Sequence, residues 1–414
     1  MKGGRSGLPP SPVSWGFGRA AKSPRKLLFA ANGQESRWDS REHGWVSPIK
    51  DQKSYGTCWA HAAMACLETR CLMRDASVTN DFSENHMASH RVGFELGFDD
   101  GGNNDIATAL LVSGRDPIDE VDDPYPNPYS GAIFPAVKHV REARILPGRE
   151  GPADNGALKE AVKTYGAVSV SYYHDGQYLN TETSAYRYTG GSAGNHAVTL
   201  IGWDDDYPAE NFKSDVRPSS NGAFLVKNSW GDYAGNGMTN GCLWISYEDA
   251  VFCKGSSTVY SRVEDTTDYG LVYQYDPCGM TATFRSSLTM DRNHCANMFV
   301  STHTGAVASV GFYVGAAGLK AEISVYVGCA SGQPTSGSNA VDRLEVTADF
   351  AGYMSVALPS LVPIERIGER FSVVLHVLES PNSTYPLPVE VPIGGYCTTT
   401  ASFGQSYYST DGAS

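Results

Sequence analysis

The spacing of apolar and polar positions divides the chain into two long regimes behind a short arm. From about Ser36 to Arg262, helical and strand patterns are mixed. Thr57–Leu72 carries Ala60, Ala62, Ala63, Met64, Ala65 and Leu67, good helix formers that predict a helix. Ala157–Tyr165 predicts a shorter amphipathic helix behind a Gly-rich loop. Ala167–Tyr172 alternates as a strand does, and so do His196–Gly202 and Ala223–Lys227. Asp99–Asn104 and Asp122–Tyr129 read as loops on their Gly, Asn and Pro content. From about Thr266 long helical periodicity disappears. Ser309–Val314, Glu322–Val327, Gly352–Leu358 and Phe371–Leu378 are short β-rich runs, separated by Gly/Ser/Pro clusters at Gly328–Ser338 and Ser380–Pro386. That pattern predicts an antiparallel sandwich or jelly roll. No internal repeat is evident.

The length of 414 residues suits two or three domains. A hydrophobic share of 41% with 19% charged residues suits a globular protein and argues against a largely disordered chain. The formal net charge of −13 argues against nucleic acid as a partner. No apolar run reaches the ~18 residues of a membrane span. The first 35 residues are different: Lys2, Arg5, Arg19, Lys22, Arg25 and Lys26 stand against the single acid Glu35, with Pro9-Pro10 and Pro12 between them. The run Leu27–Ala31 is too short and misplaced for a signal peptide. Residues 1–35 therefore read as an arm or pro-type segment, basic against an acidic body and expected to cover its cleft.

Nine cysteines are an odd number, so one thiol at least stays unpaired within the chain. No CxxC occurs, which argues against zinc-finger and thioredoxin-type sites. Cys66 and Cys71 share a helix too closely to bridge each other. Cys242, Cys253, Cys278, Cys295, Cys329 and Cys397 are able to pair, in a pattern the sequence leaves open.

The chemistry concentrates in Lys50-Asp51-Gln52-Lys53-Ser54-Tyr55-Gly56-Thr57-Cys58-Trp59-Ala60-His61-Ala62. A Gly-containing turn delivers Cys58 to the first turn of an Ala-rich helix, where free N–H groups and the helix dipole favour a thiolate. Such a nucleophile needs a base and an orienter for the base. Asn195-His196-Ala197-Val198 and Val226-Lys227-Asn228-Ser229-Trp230-Gly231 offer both.

These motifs resemble those of the papain-like cysteine proteases, in the family's order. Gly56-Thr57-Cys58-Trp59 is similar to its nucleophile turn, and Gln52 falls at its oxyanion-hole glutamine. His196 matches the base, Asn228 the orienter, Trp230 the indole shielding their hydrogen bond, and Gly101-Gly102 the glycine pair of the peptide-binding cleft. The resemblance implies an α+β papain-like two-lobed domain over 36–263, cleaving protein or peptide substrates through an acyl-enzyme. It requires no metal and no organic cofactor. Asn103, Asn195 and Ala197 are expected beside the substrate. Two cysteines that the family bridges are replaced together, by Tyr55 and Asp99, and His61 stands where Phe is common. Residues 204–221 look like an inserted surface loop.

The resemblance continues beyond the protease. Bacterial members with a C-terminal lectin-like β-sandwich share features similar to Asp204-Asp205-Asp206-Tyr207, Tyr273-Gln274-Tyr275-Asp276 and Gly404-Gln405-Ser406-Tyr407-Tyr408-Ser409. This implies a lectin-like domain over 264–414 and a secreted or cell-surface protein of which the chain is a piece. The sandwich is able to meet a cell-surface polymer or another part of the same chain. Two alternatives remain: a surface binding protein acting through the sandwich, and a Cys–His amidase acting on cell-wall peptides. Asp204–Asp206 reads as a solvated acidic loop rather than a calcium site. Asn382-Ser383-Thr384 is a glycosylation sequon, inert in a bacterium, and His61 reads as a packing residue.

Overall fold

A computed structural model describes residues 7–16, 35–128, 131–232, 237–268, 270–381, 386–399 and 401–412. Much of the expected arm and the 382–384 sequon lie outside them. The described chain forms two compact units, one of residues 7–11, 35–91 and 95–266, the other of 12–16, 92–94 and 267–412.

The first unit pairs helices with an antiparallel sheet. Its strands are β1 (Arg37–Asp39), β2 (Lys138–Leu146), β3 (Val168–Tyr172), β4 (Leu179–Asn180), β5 (Ala185–Tyr186), β6 (His196–Asp204), β7 (Ala223–Lys227), β8 (Cys242–Ser246) and β9 (Ser257–Asp265). They run in the order β2-β9-β3-β6-β7-β8-β5-β4, with β1 on β6. Among the described residues of this sheet, β5 and β8 pair in parallel and the other pairs named are antiparallel. The helices are α1 (Cys58–Arg74), α2 (Glu84–Ser89), α3 (Asn104–Val112) and α4 (Gly156–Tyr165).

Central strand β7 is buried along its whole length, which explains its continuous apolar run. Val170, Tyr172, Val198, Leu200, Phe224 and Ile245 form one core with Leu158 and Val162 of α4. Helix α1 is buried on nearly every side, and its alanines let it pack against β6 and β9. Strand β6 extends past its expected end to Asp204 because β1 pairs there, Trp38 opposite Trp203. Gly202 permits that approach, since a Cβ would lie 2.4 Å from the Trp38 carbonyl. Strand β2 escaped the pattern reading because charges interrupt it; Arg141 is nonetheless buried and pairs with Glu264. The 204–221 loop is pinned by Tyr207 and Phe212, which pack with Ala185 and Ala223. Asp205 in it is neutralised by Lys159 and accepts from the Tyr247 hydroxyl at 2.6 Å.

The second unit is all β. Strands β10 (Ala282–Phe284), β11 (Asn293–Val300), β12 (Gly305–Val314), β13 (Leu319–Val327), β14 (Ser338–Ala348), β15 (Ala351–Ile364), β16 (Arg370–Glu379), β17 (Leu387–Val389) and β18 (Ser406–Ser409) follow one another. A five-stranded antiparallel sheet has the order β14-β13-β16-β11-β18. β12 pairs with β15 and β10 with β17. Leu319, Ala321, Ile323 and Val325 of β13 point inward and meet Val310, Val314 and Val362 from β12 and β15. Opposed apolar faces make this a sandwich. The pattern anticipated parts of β12, β13, β15 and β16 and missed the others, among them β11 and β14, whose outer face is polar.

Candidate functional site

Cys58 opens α1 at full burial. The turn before it is held from several sides. Tyr125 donates its hydroxyl to the Gln52 carbonyl at 2.7 Å and lies 2.7 Å from Thr57 Oγ1. The Gly56 N–H donates to Asp99 at 2.7 Å. The Ala197 N–H, at the foot of β6, donates to Cys58 Sγ at 3.4 Å.

His196, next to Ala197, donates Nε2–H to Asn228 Oδ1 at 2.7 Å. That bond fixes the tautomer and leaves Nδ1 for the thiol side. Trp230 lies flat over the imidazole, centroids 4.6 Å apart at 25°, and screens the bond from water. Gln52 is fully buried: its amide oxygen accepts from Ser229 Oγ at 2.6 Å and its nitrogen donates to the Tyr55 carbonyl at 2.7 Å. One amide proton is left for another acceptor. The segments carrying Gln52 and Asn228 are clasped by Gln52 N–H to Ser229 O, 2.8 Å, and Gly231 N–H to Lys50 O, 3.0 Å.

Residues 7–11 lie across this site. The Gly7 carbonyl accepts the Gly102 N–H at 3.0 Å. A Cβ on Gly101, whose φ is +85°, would meet Gly7 O and Pro9 Cδ, both at 2.7 Å. Ser11 hydrogen-bonds Asp105. Burial pushes the Cys58 thiol up to about 11, against the opposing N–H groups of Ala197, Gly7, Trp59 and Cys58 itself. Burial brings His196 down to about 3, opposed by the Asn228 hydrogen bond and reinforced by His174. In this covered state the pair is held neutral.

The residues expected beside the substrate also make local contacts. Gly101 faces Gly7 and Pro9, whereas Gly102 backs onto the Trp59 indole, where a Cβ would come within 2.3 Å. Asn103 caps α3, its Oδ1 accepting from Asp105 and Ile106 N–H at 3.1 Å each. A short polar residue satisfying orphan helix donors explains the choice. Asn195 also works locally, accepting the His174 N–H at 2.7 Å and donating to the His174 carbonyl at 3.1 Å. Ala197 meets the nucleophile through its backbone rather than its methyl.

His174 itself escaped the sequence reading, since a lone histidine past a strand carries no signal. It stands edge-on to Trp230 at 4.5 Å and 6.2 Å from the His196 ring, and it lies 3.0 Å from the Tyr172 hydroxyl through Nδ1. Behind α1, Lys50 bridges Glu68 at 2.9 Å and Glu84 at 3.0 Å, while Lys227 donates to Ser47 at 2.8 Å. His61 faces this buried charge cluster, its Nε2 3.9 Å from Glu84. No group of three metal-ligating side chains occurs among the described residues. No helix among them is long and apolar enough to cross a membrane.

Residues 34–263 match the papain family cysteine protease model, and residues 272–414 match a lectin-like domain. The clostridial cysteine protease Cwp84 after propeptide cleavage has a similar structure, with a TM-score of 0.76 and 28% identity over 90% of this chain and 93% of that one. The cysteine protease and lectin-like domains of Cwp84, a surface layer associated protein of Clostridium difficile, match at TM-score 0.76 and 25% identity, over 97% and 92%. Falcipain-2a of Plasmodium falciparum is 26% identical over 218 residues, 51% of this chain and 42% of that protein. Procathepsin L of Mus musculus is 28% identical over 203 residues, 47% and 55% respectively. The chain thus spans about half the length of these curated relatives.

Proposed function

The chain belongs to the papain family of cysteine proteases, and from that premise we propose that it is a cysteine endopeptidase whose site is Cys58, His196, Asn228 and Gln52. The observation that carries this reading is the hydrogen-bonded line from Asn228 through His196 toward a cysteine at a helix N-terminus. Cys58, as thiolate, attacks the scissile carbonyl and forms the acyl-enzyme. His196, as imidazolium, gives its Nδ1 proton to the leaving amine and then takes one from the attacking water. Asn228 keeps the ring in register throughout. The Cys58 N–H and the spare Gln52 proton stabilise the oxyanion, each donor worth roughly 3–4 kcal/mol where such a donor has been removed from another protease. Gly101 and Gly102 offer backbone to an extended peptide, and Trp230 keeps the base dry.

The same reading treats 1–35 as a pro-type arm, 36–263 as the protease and 264–414 as a lectin-like sandwich. The arm is supported by Gly7 and Pro9, which occupy backbone positions that a substrate would use. Protein or peptide substrates follow from the family. A secreted or cell-surface setting is supported by the surface-layer association of Cwp84.

The test is titration with an epoxysuccinyl inhibitor under reducing conditions, on the full chain and on a form lacking residues 1–16. The expected result is a single adduct on Cys58, faster in the shortened form, with adduct and peptide cleavage both lost in Cys58→Ala. Cleavage that survives Cys58→Ala overturns the assignment.

A further inference from the structure

The described cysteines are all thiols. Two of them, in the all-β unit, differ from the rest in their surroundings. Cys278 lies in the segment before β10, and Cys397 closes a tight turn, exchanging backbone hydrogen bonds with Ile393 at 2.9 and 3.0 Å. Both are buried, 5% and 1% exposed. The Cys278 thiol donates to the carbonyl of Thr398, the residue after Cys397, at 3.9 Å. The Cys397 thiol donates to Val391 O at 3.7 Å. Between them, Glu390 accepts the Cys278 N–H through Oε1 at 2.6 Å. Its Oε2 is buried without a hydrogen-bond partner. Burial raises the Cys278 thiol well above its ordinary value, and the Glu390 carboxylate and the Cys397 thiol add to the rise.

This is a cluster of two nucleophiles and one proton acceptor that the proteolytic site does not use. Thiols are weak hydrogen-bond donors, so burying two of them beside a carboxylate yields little. Joining them removes both S–H groups from the buried site. Burial raises Glu390 to about 7, so near neutrality it is able both to take and to release a proton. The Cys278 thiol reaches the residue next to Cys397, and a bond between the two sulfurs would set them about 2.05 Å apart.

We propose that Cys278 and Cys397 form an oxidisable dithiol that closes to a disulfide within the β-sandwich by exchange with a disulfide reagent, with Glu390 as proton acceptor. Glu390 takes the Cys278 thiol proton. The thiolate attacks the reagent, forming a mixed disulfide and expelling one thiolate, which is reprotonated from Glu390. The Cys397 thiol then loses its proton by the same route and attacks the Cys278 sulfur, expelling the second thiolate. The protein loses two electrons and two protons, and one reagent disulfide becomes two thiols. The bond ties the start of the sandwich to its closing turn across most of its strands, so it restrains the unfolded chain and raises the unfolding temperature.

The experiment equilibrates the full chain with oxidised glutathione or with dithiothreitol. It then alkylates under denaturing conditions and maps non-reduced peptides by mass. The expected result in the oxidised sample is one crosslinked peptide joining Cys278 to Cys397, two hydrogens lighter than the sum, with a higher unfolding midpoint than the reduced sample. Cys278→Ser and Cys397→Ser should each abolish the crosslink and the shift. Glu390→Gln should slow closure at pH 7 without changing the product. Recovery of both cysteines as alkylated peptides from the oxidised native chain overturns the proposal, whatever the variants do. An unchanged rate in Glu390→Gln overturns the role of the carboxylate.

Discussion

The Asp99 carboxylate accepts the backbone N–H of Gly56 at 2.7 Å, two residues before the nucleophile. Tyr55 and Asp99 are the positions where related proteases resemble one another in carrying a disulfide. Here a charge-assisted hydrogen bond spans the same gap. Arg91 reinforces it, with its guanidinium on the carbonyls of Phe98 and Gly101 and 4.8 Å above the Trp59 ring. The nucleophile turn is thus tied to the cleft wall without a covalent link.

Asp99→Ala should loosen that turn while leaving the core intact. A hydrogen bond to a charged group is worth about 1.5–3 kcal/mol, so kcat/KM should fall by roughly tenfold to a hundredfold if the bond acts fully at the transition state. Initial rates normalised to titrated active sites test this. Wild-type kcat/KM in Asp99→Ala means that Tyr125 and Arg91 hold the turn alone.

Removing residues 1–16 should restore water to the Cys58–His196 pair. With the arm in place burial holds Cys58 at about 11 and His196 at about 3. Hydration favours both charged forms, so the thiol value should fall and the imidazole value rise. Iodoacetamide inactivation at pH 7 should quicken by at least about tenfold, because the thiolate fraction sets the rate. A pH profile that superimposes on that of the full chain rules out the arm as the cover.

The motifs on which the proposed site rests stand out in the sequence because each pairs a particular residue type with a particular backbone feature. A thiol at a helix start, a histidine leading a strand and an asparagine ending one cannot be replaced cheaply, so they stand out in a single sequence. The expected substrate-side residues carry a weaker signal. Asn103 and Asn195 are polar residues near the motifs; Asn103 Oδ1 caps a helix and Asn195 holds a turn. Polar side chains serve the local backbone as readily as a ligand, and sequence does not separate the two uses. Strands such as β2 and β14 were hidden by charged or polar positions that only pairing partners explain. The β-sandwich as a class was visible, since inward alternation in β13 needs no partner to be recognised.

His61 should make the protein acid-sensitive. Burial takes it to about 3, with the Thr57 carbonyl opposing and Lys50 and Lys227 adding to the fall. The unfolded chain binds this proton near pH 6.5 and the folded chain does not, so stability falls as pH drops from about 6.5 toward 3. At pH 5 the loss is about 2 kcal/mol. His61→Phe removes the titrating group but keeps an aromatic ring, so its unfolding free energy should change less between pH 7 and pH 5 than that of the wild type. Urea unfolding at the two pH values measures this. Equal slopes in both proteins would assign the acid loss to other groups.

His174 should tune the base from beside Trp230. It lies 3.0 Å from the Tyr172 hydroxyl through Nδ1, an arrangement that suits the neutral ring. Burial lowers it to about 4, with Asp175 opposing. As pH falls through that range, His174 takes its proton first, and the new charge opposes protonation of His196, 6.2 Å away. His174→Phe keeps a ring beside Trp230 and deletes the charge, so His196 in the full chain should titrate at higher pH. Imidazole NMR shifts of the full-length Cys58→Ala protein follow both rings without turnover. Two successive transitions in the His174 form and one, moved upward, in His174→Phe are expected. A His196 titration that does not move would leave His174 as packing for Trp230 only, and the low value of His196 would then belong to burial alone.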